Sequence, residues 1–232
     1  MMKTDFDRYK DRYREAVQKS IAFAGQDVDF FTEVKAGHLI GLAERYVGDP
    51  KNLRVLDVGS GVGLTDCLLA TSFGALYGVD IAEGVVEKAA QTNPSVDYQV
   101  YDGKVLPFSN NFLDIVFAIC VMHHVPPSAW ENFIREMQRV TKRHGLVVVF
   151  EHNPLNPLTR LAVNRCEFDA DAVLLRAGRM KDLLTSNGLR IVERRYILFF
   201  PFRGVIFGNI ERGVKWLPLG AQYYVAGRKL DT

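Results

Sequence analysis

The chain lacks any stretch long and apolar enough to span a bilayer, and its opening run MMKTDFDRYKDRYREA is charged throughout, with no apolar core for a secretory signal. A cytoplasmic protein is the expectation. Cysteine is scarce: Cys67, Cys120 and Cys166 are odd in number and widely spaced, so neither a disulfide framework nor a zinc cluster is suggested, and no metal site is expected. Excess charge of one sign is also missing. The 29 Lys and Arg against 27 Asp and Glu leave a formal charge of +2, which gives no footprint for nucleic acid. There is no internal repeat and no low-complexity tract. What is present is 232 residues at 48% hydrophobic, ample for the core of one domain, or of one domain with an added cap.

The most informative stretch is LRVLDVGSGVGLTDCLL, residues 53–69. It begins as a short apolar run broken only by Arg54 and Asp57, turns through Gly59, Ser60, Gly61 and Gly63, and resumes as a helical pattern at Leu64. That spells strand, glycine loop, helix. Such a loop lets a ligand reach the backbone N–H groups at the helix start, although glycines there also serve close packing of helix on sheet. A second acid separates the two uses. The apolar run 75–79 ends at Asp80, about 20 residues beyond the first glycine, the spacing at which a carboxylate receives ribose hydroxyls. A nucleoside-containing ligand follows.

Two nucleotide signatures are absent. The dinucleotide fingerprint needs a third glycine where Leu64 stands, which speaks against a NAD-dependent reductase, and no Gly-Lys-Ser/Thr follows to make a phosphate loop. The order acid, apolar, Gly, Ser, Gly, apolar, Gly resembles instead the class I methyltransferases, which use S-adenosyl-L-methionine and release S-adenosyl-L-homocysteine. Motifs of that family match in order over residues 55–151. The resemblance implies that Asp57, Gly59, Ser60, Gly61 and Gly63 face the methionine end. It implies that Asp80, with Ile81 beside it, binds the ribose, and that Asp102 in VYDGKVLPF meets the adenine amino group with Gly103 alongside. In the same way the string LDIVFAICVMHHV would close over the sulfonium through Ala118, Ile119, Cys120 and His123.

The remaining pattern gives the architecture. Strand-like runs at 53–58, 75–79, 96–100, 114–119 and 146–150 alternate with helical patterns. One of these helices is stopped by Asn93-Pro94; another opens at Pro126 and Pro127 and closes at Gly145. The alternation predicts an α/β fold, a Rossmann-like doubly wound sheet that is mostly parallel. Strands at 189–200 and 221–227 match the family's antiparallel C-terminal hairpin, with a helical insertion at 202–217 between the arms. Residues 1–50 read as an N-terminal helical cap: a helix over 5–20, capped by Asp5 and striped by Phe6, Tyr9, Tyr13 and Val17, then a cluster of Phe23, Phe30 and Phe31 leading into a helix that runs to about Val47. Residues 51–232 form the methyltransferase domain, with substrate-side insertions near 152–178 and 202–217. Tyr9 and Tyr13 either cover the ligands or staple their helix to the core. Phe30 and Phe31 either line an acceptor pocket or anchor the helix they precede.

Methyl transfer from a sulfonium is an in-line displacement, so the protein has to hold an acceptor atom about 3 Å from the methyl and keep the site dry. An oxygen acceptor must also lose a proton, for which histidine is the natural base. His123 and His124 follow the fourth strand; His152 follows the fifth. His152 is the candidate base, because it opens the least standard loop and neighbours Glu151, which can orient it. The resemblance implies that His123 borders the methyl-donor pocket, and Asn153 is a candidate acceptor contact. The other use of His152 and Asn153 is to satisfy loop carbonyls. The Asn/Asp-Pro-Pro-aromatic run that accompanies nitrogen methylation is replaced by Cys120-Val121-Met122-His123-His124, which argues against nucleic-acid acceptors. The expected function is methyl transfer to a small-molecule acceptor, an oxygen of a sugar, lipid or secondary metabolite. A non-catalytic module that holds S-adenosyl-L-methionine or S-adenosyl-L-homocysteine is the alternative. The basic and aromatic run after Arg190 suits either peripheral contact with a membrane surface or a core strand followed by a packing helix, and the oligomeric state stays open.

Overall fold

The computed structural model describes residues 12–22, 25–200, 213 and 216–231. Five parallel strands, β1 (Arg54–Val58), β2 (Ala75–Asp80), β3 (Asp97–Val100), β4 (Leu113–Ile119) and β5 (Thr141–His152), are joined by β6 (Leu189–Ile197) and β7 (Gln222–Lys229), with β7 antiparallel to both β5 and β6. The sheet order is β3-β2-β1-β4-β5-β7-β6. The helices are α1 (Tyr13–Ile21), α2 (Val28–Tyr46), α3 (Leu64–Leu69), α4 (Glu83–Thr92), α5 (Trp130–Val140), α6 (Pro157–Arg165) and α7 (Ala177–Ser186). This is the Rossmann-like doubly wound sheet that the alternating pattern predicts, with the antiparallel C-terminal pair that the family resemblance implies. Among the described residues no helix is long and apolar enough to cross a membrane.

Both faces of the central strands are covered, so these strands are mostly apolar and the period of two sorts their side chains between two cores. Leu56, Val116, Ala118, Val147 and Val149 point to one face, where Phe133, Ile134 and Met137 of α5 and Met180 and Leu184 of α7 pack on them. Val55, Ile115, Phe117, Val148 and Phe150 point to the other, against Leu39, Leu42 and Ala43 of α2 and Leu69 of α3. Asp27 caps α2 by accepting from the Phe30 N–H at 2.9 Å. The Asn156-Pro157 step starts α6: Asn156 caps it by accepting from the Thr159 N–H at 3.1 Å, and Pro157 supplies a pre-set φ at the first helical position.

Three predicted boundaries move. Gly145 does not end α5, which stops at Val140; β5 has already begun at Thr141. The glycine lies instead at an irregularity in the β4–β5 pairing, beside His144 at φ 64°, where a Cβ would come within 2.6 Å of the Asp114 carbonyl oxygen. β6 ends at Ile197, short of 200, and β7 runs to Lys229, beyond 227. Of the helix predicted over 5–20, α1 occupies Tyr13–Ile21, while Asp5, Phe6 and Tyr9 lie outside the described residues, as do Phe23 and most of the 202–217 insertion.

Beyond the β5–β7 ladder, a buried cation also ties the antiparallel edge to the parallel half. Lys229, near the end of β7, donates from Nζ to the Gln138 and Thr141 carbonyl oxygens at 2.8 Å and to Asn111 Oδ1 at 2.9 Å. Lys229→Met leaves these acceptors without their donor, and the expected outcome in urea unfolding is a loss of about 2 kcal/mol of stability.

Candidate functional site

A cavity of about 470 Å³ opens at the carboxyl ends of β1, β4 and β5, under α1, the first turns of α2, and α6. That size is in the range of small-molecule sites. One pole is formed by Asp57, Gly59, Ser60 and Gly61; the other holds His123, His124, His152 and Asp169.

At the first pole the chain leaves β1 and turns back under β2. The Gly59 N–H donates to the Val79 carbonyl oxygen at 2.7 Å, with Gly59 at φ 81°, and a Cβ there would strike Val121 Cγ2 at 2.5 Å. Gly61, at φ 53°, is different: a Cβ would meet nothing within 4 Å and would only intrude on open space. Asp57 Oδ1 and Ser60 Oγ are buried without a hydrogen-bond partner, although both residues line the cavity. Burial, followed by the charge of Asp66, pushes the Asp57 pKa well above the usual carboxylate range. Burial raises Asp66 on α3 to about 6, against the hydrogen bond it accepts from the Tyr98 hydroxyl at 2.7 Å. A buried, under-satisfied carboxyl at a glycine loop fits the ammonium end of S-adenosyl-L-methionine. Asp80 braces the same loop, accepting from the Gly61 N–H through Oδ2 and from the Ala82 N–H through Oδ1, each at 3.0 Å.

The second pole is a chain of buried charges. Glu151 Oε2 lies 2.7 Å from His123 Nδ1, and its Oε1 accepts from the Met122 N–H at 2.8 Å. On the far side of the ring, His123 Nε2 is 3.5 Å from Asp169 Oδ1, which is also 3.3 Å from His124 Nε2. Burial opposes charge on His123, but the negative charge of Glu151 and the bond to Asp169 outweigh it and hold the pKa well above the ordinary value. His152 behaves oppositely: burial, and then the charge on His123, lower it to about 4, so it is a neutral imidazole. Its Nδ1 lies 3.3 Å from the Gln222 amide nitrogen, and its ring is 5.2 Å from that of His123. Cys120 sits between the poles at φ 56°, and burial raises its thiol to about 11, which removes it as a nucleophile at neutral pH.

Several sequence-predicted positions are corrected here. Glu151 orients His123, not its neighbour His152, because adjacent residues on a strand point to opposite faces. Phe30 packs into the core below α2, and of the aromatic pair only Phe31 lines the cavity. Asn153 faces away: its amide nitrogen donates to the Pro218 and Gly220 carbonyl oxygens at 3.0 and 2.8 Å. Tyr9 lies outside the described residues, and Tyr13 is described through its backbone alone. Ile119, Cys120 and His123 line the cavity; Gly63, Asp80, Ile81, Asp102, Gly103 and Ala118 are not among its lining residues. Asp102 is exposed, its Oδ1 accepting from the Val105 and Lys104 N–H groups at 2.8 Å, bonds that lower its pKa. Ala118 is fully buried in β4.

Sequence reasoning missed Lys35, Asp169 and Gln222. Lys35 is buried on α2 between the poles; its charge works against burial at Asp57 and Cys120 and with burial at His152. A signal for it existed: Val28, Phe31, Thr32 and Lys35 share one helical face, and all four line the cavity. No comparable pattern marks Asp169, which is presented by the short 3-10 turn Glu167–Asp169. No metal site was expected, yet one ligand atom from each of His123, His152 and Asp169 lies within 4.8 Å of the other two.

Residues 56–149 match a family described as methyltransferase domain. A 2-methyl-6-phytyl-1,4-hydroquinone methyltransferase of Synechocystis sp. is 32% identical over 108 residues, which cover 45% of this chain and 33% of that protein. The chain therefore spans about a third of that relative's length. A ubiquinone biosynthesis O-methyltransferase of Rhizobium etli is 27% identical over 195 residues, covering 74% of this chain and 76% of that protein. Among solved structures, an S-adenosylmethionine-dependent methyltransferase of Thermotoga maritima shares the fold with a TM-score of 0.68 at 20% identity, over 98% of this chain and 100% of that one. The domain match falls on the strands that carry the glycine loop and the histidine turn, so residues 56–149 form a methyltransferase domain, and the chain as a whole shares the fold of S-adenosylmethionine-dependent methyltransferases.

Proposed function

We propose that the chain transfers a methyl group from S-adenosyl-L-methionine to an oxygen of a small-molecule acceptor held between the glycine loop and His152. The observation that carries this reading is the continuity of one cavity from Asp57 and Gly61 to His152 and Asp169. When bound, the cofactor supplies a methyl on a sulfonium, an electrophile that needs alignment more than activation. Asp57 and Ser60 hold its ammonium, Lys35 its carboxylate, Asp80 its ribose and Asp102 its adenine amino group, with Ile81 and Gly103 beside the ring. The acceptor hydroxyl gives its hydrogen to His152, which stays neutral and therefore basic. His123 is already bound by two carboxylates and serves to position them.

In this reading α1 and the start of α2, within a cap of residues 1–50, close the cavity together with α6 and exclude water. Phe31 and Leu158 offer the acceptor an apolar wall. The names of the relatives, a hydroquinone methyltransferase and an O-methyltransferase of ubiquinone biosynthesis, support a lipid-like acceptor with a ring hydroxyl over a sugar. Leu155, Leu158 and Leu161 are exposed on and before α6, which supports peripheral contact with a membrane from the cytoplasm.

Four outcomes test the reading. Asp80→Ala should weaken S-adenosyl-L-homocysteine binding by roughly 1 to 3 kcal/mol in calorimetry, since it removes charge-assisted bonds and the brace on Gly61 together. An unchanged affinity removes Asp80 from the site. Binding should release more protons to buffer as the pH is lowered from 7, because burial raises the Asp57 pKa and an ammonium beside it favours the ionised carboxylate; titrations in buffers of different ionisation enthalpy read this. His152→Ala should lower turnover about 10²- to 10⁴-fold with S-adenosyl-L-homocysteine affinity intact. The active form of His152 is the free base, lost only as pH falls through about 4, so kcat/KM of the unmodified enzyme should stay level between pH 7 and 5 where an ordinary histidine would already titrate.

A further inference from the structure

We propose that His123, His152 and Asp169 bind a first-row divalent ion of the zinc type at the acceptor end of the cavity, and that the acceptor's hydroxyl oxygen completes its coordination. The purpose given to the ion rests on the methyl-transfer reading; the site itself does not.

The geometry is close to what such an ion needs. Bonds of about 2.1 Å in a tetrahedron set neighbouring ligand atoms about 3.4 Å apart. His123 Nε2 and Asp169 Oδ1 already stand 3.5 Å apart, and the full set of three lies within 4.8 Å. Two imidazoles and one carboxylate suit zinc and its neighbours, and oxygen-loving ions such as magnesium much less. Three protein ligands with further positions free is the count of a site that works on a substrate, where purely structural zinc sites use four. Here the free positions face the cavity, because all three ligands line it.

The support behind the ligands is of the kind metal sites need. His123 presents its other nitrogen to the buried Glu151 carboxylate at 2.7 Å, the carboxylate–histidine pairing that fixes ring orientation and strengthens the ligand. Gln222 meets one nitrogen of His152 at 3.3 Å, and His124 holds Asp169 from the side at 3.3 Å. The three ligands come from the turn after β4, the end of β5 and the 3-10 turn after α6, so the folded chain brings them together before any ion arrives. Charge closes as well: two positive charges meet the negative charges of Asp169 and Glu151.

The ion enters with both imidazoles neutral, and the proton between His123 Nε2 and Asp169 leaves to water. In the loaded enzyme the ion takes over the activating task that His152 has in the metal-free chain: it lowers the pKa of the acceptor hydroxyl, whose proton leaves to water instead of to the now-coordinated imidazole. The oxygen then forms its bond to the methyl carbon as the carbon–sulfur bond breaks, giving a methyl ether and S-adenosyl-L-homocysteine. The acceptor class that profits most is a ring hydroxyl, which ionises far more readily than a sugar hydroxyl.

The test uses the untagged full chain, stripped with a chelator and titrated with cobalt(II), whose visible absorption reports coordination by nitrogen and oxygen. The expected result is a band that saturates at one ion per chain. It should be lost, or shifted roughly 100-fold to higher cobalt, in Asp169→Asn and in His152→Ala, while calorimetry shows S-adenosyl-L-homocysteine affinity within about twofold of the unmodified chain. Two results overturn the proposal: no band in the unmodified chain, or a band that persists unchanged in both variants. Methyl transfer by the chelated enzyme without a band would sink the ion and leave the reading of function standing. A saturable band in a chain that binds no S-adenosyl-L-homocysteine would do the reverse.

Discussion

Glu151 is the tie on which the site depends. It ends the run of buried positions in β5, has no exposure to solvent, and accepts from the Met122 N–H, the His123 N–H and the His152 N–H while facing the His123 ring. A carboxylate in that position is tolerable only because its charge is met by so many donors and by the imidazole; alone it would cost several kcal/mol. Through it the turn after β4 is locked to the end of β5. The same turn places Val121 against Gly59, so the histidine pole and the glycine pole share a wall.

The two poles solve opposite electrostatic problems. At the glycine loop, Asp57 and Asp66 are both buried acids, and their closeness favours keeping a proton. The loop therefore waits for a cation. At the histidine turn, two carboxylates surround one imidazole and raise its pKa, while burial, with the His123 charge second, keeps the next imidazole, His152, neutral. Lys35 stands between these arrangements and adds positive charge to both, so a ligand that reaches across the cavity meets an acid at one end, a neutral base at the other and a cation at its flank.

The cover over the cavity is built from parts of the chain that are remote in sequence. α1 contacts both α2 and α6, and Asn156 at the start of α6 donates to the Leu219 carbonyl oxygen just ahead of β7. The loop after β5 is thereby held at both ends. Asn153 belongs to this fastening and not to the ligand surface, which explains why an asparagine beside a candidate base makes no contact with the cavity.

Much of this was legible in the sequence because it is local. Glycines between an apolar run and a helical pattern mark the loop, alternation of strand and helix marks the parallel sheet, and a polar residue at the end of an apolar run marks the edge where ligands bind. Hence Asp57, Gly59, Gly61, Cys120, His123 and His152 were found from pattern and family resemblance, and they do line one cavity. What local pattern does not carry is who faces whom. His123 meets Glu151 across 28 residues because β4 and β5 pair with Ile119 beside Phe150, and His152 meets Gln222 because β7 runs antiparallel with those two residues in register. Asp169 and Lys35 reach the site from a turn and a helix face that only packing orients. The strand period tells which residue stands at an edge; strand order and register decide its partners, and those are fixed by the whole fold.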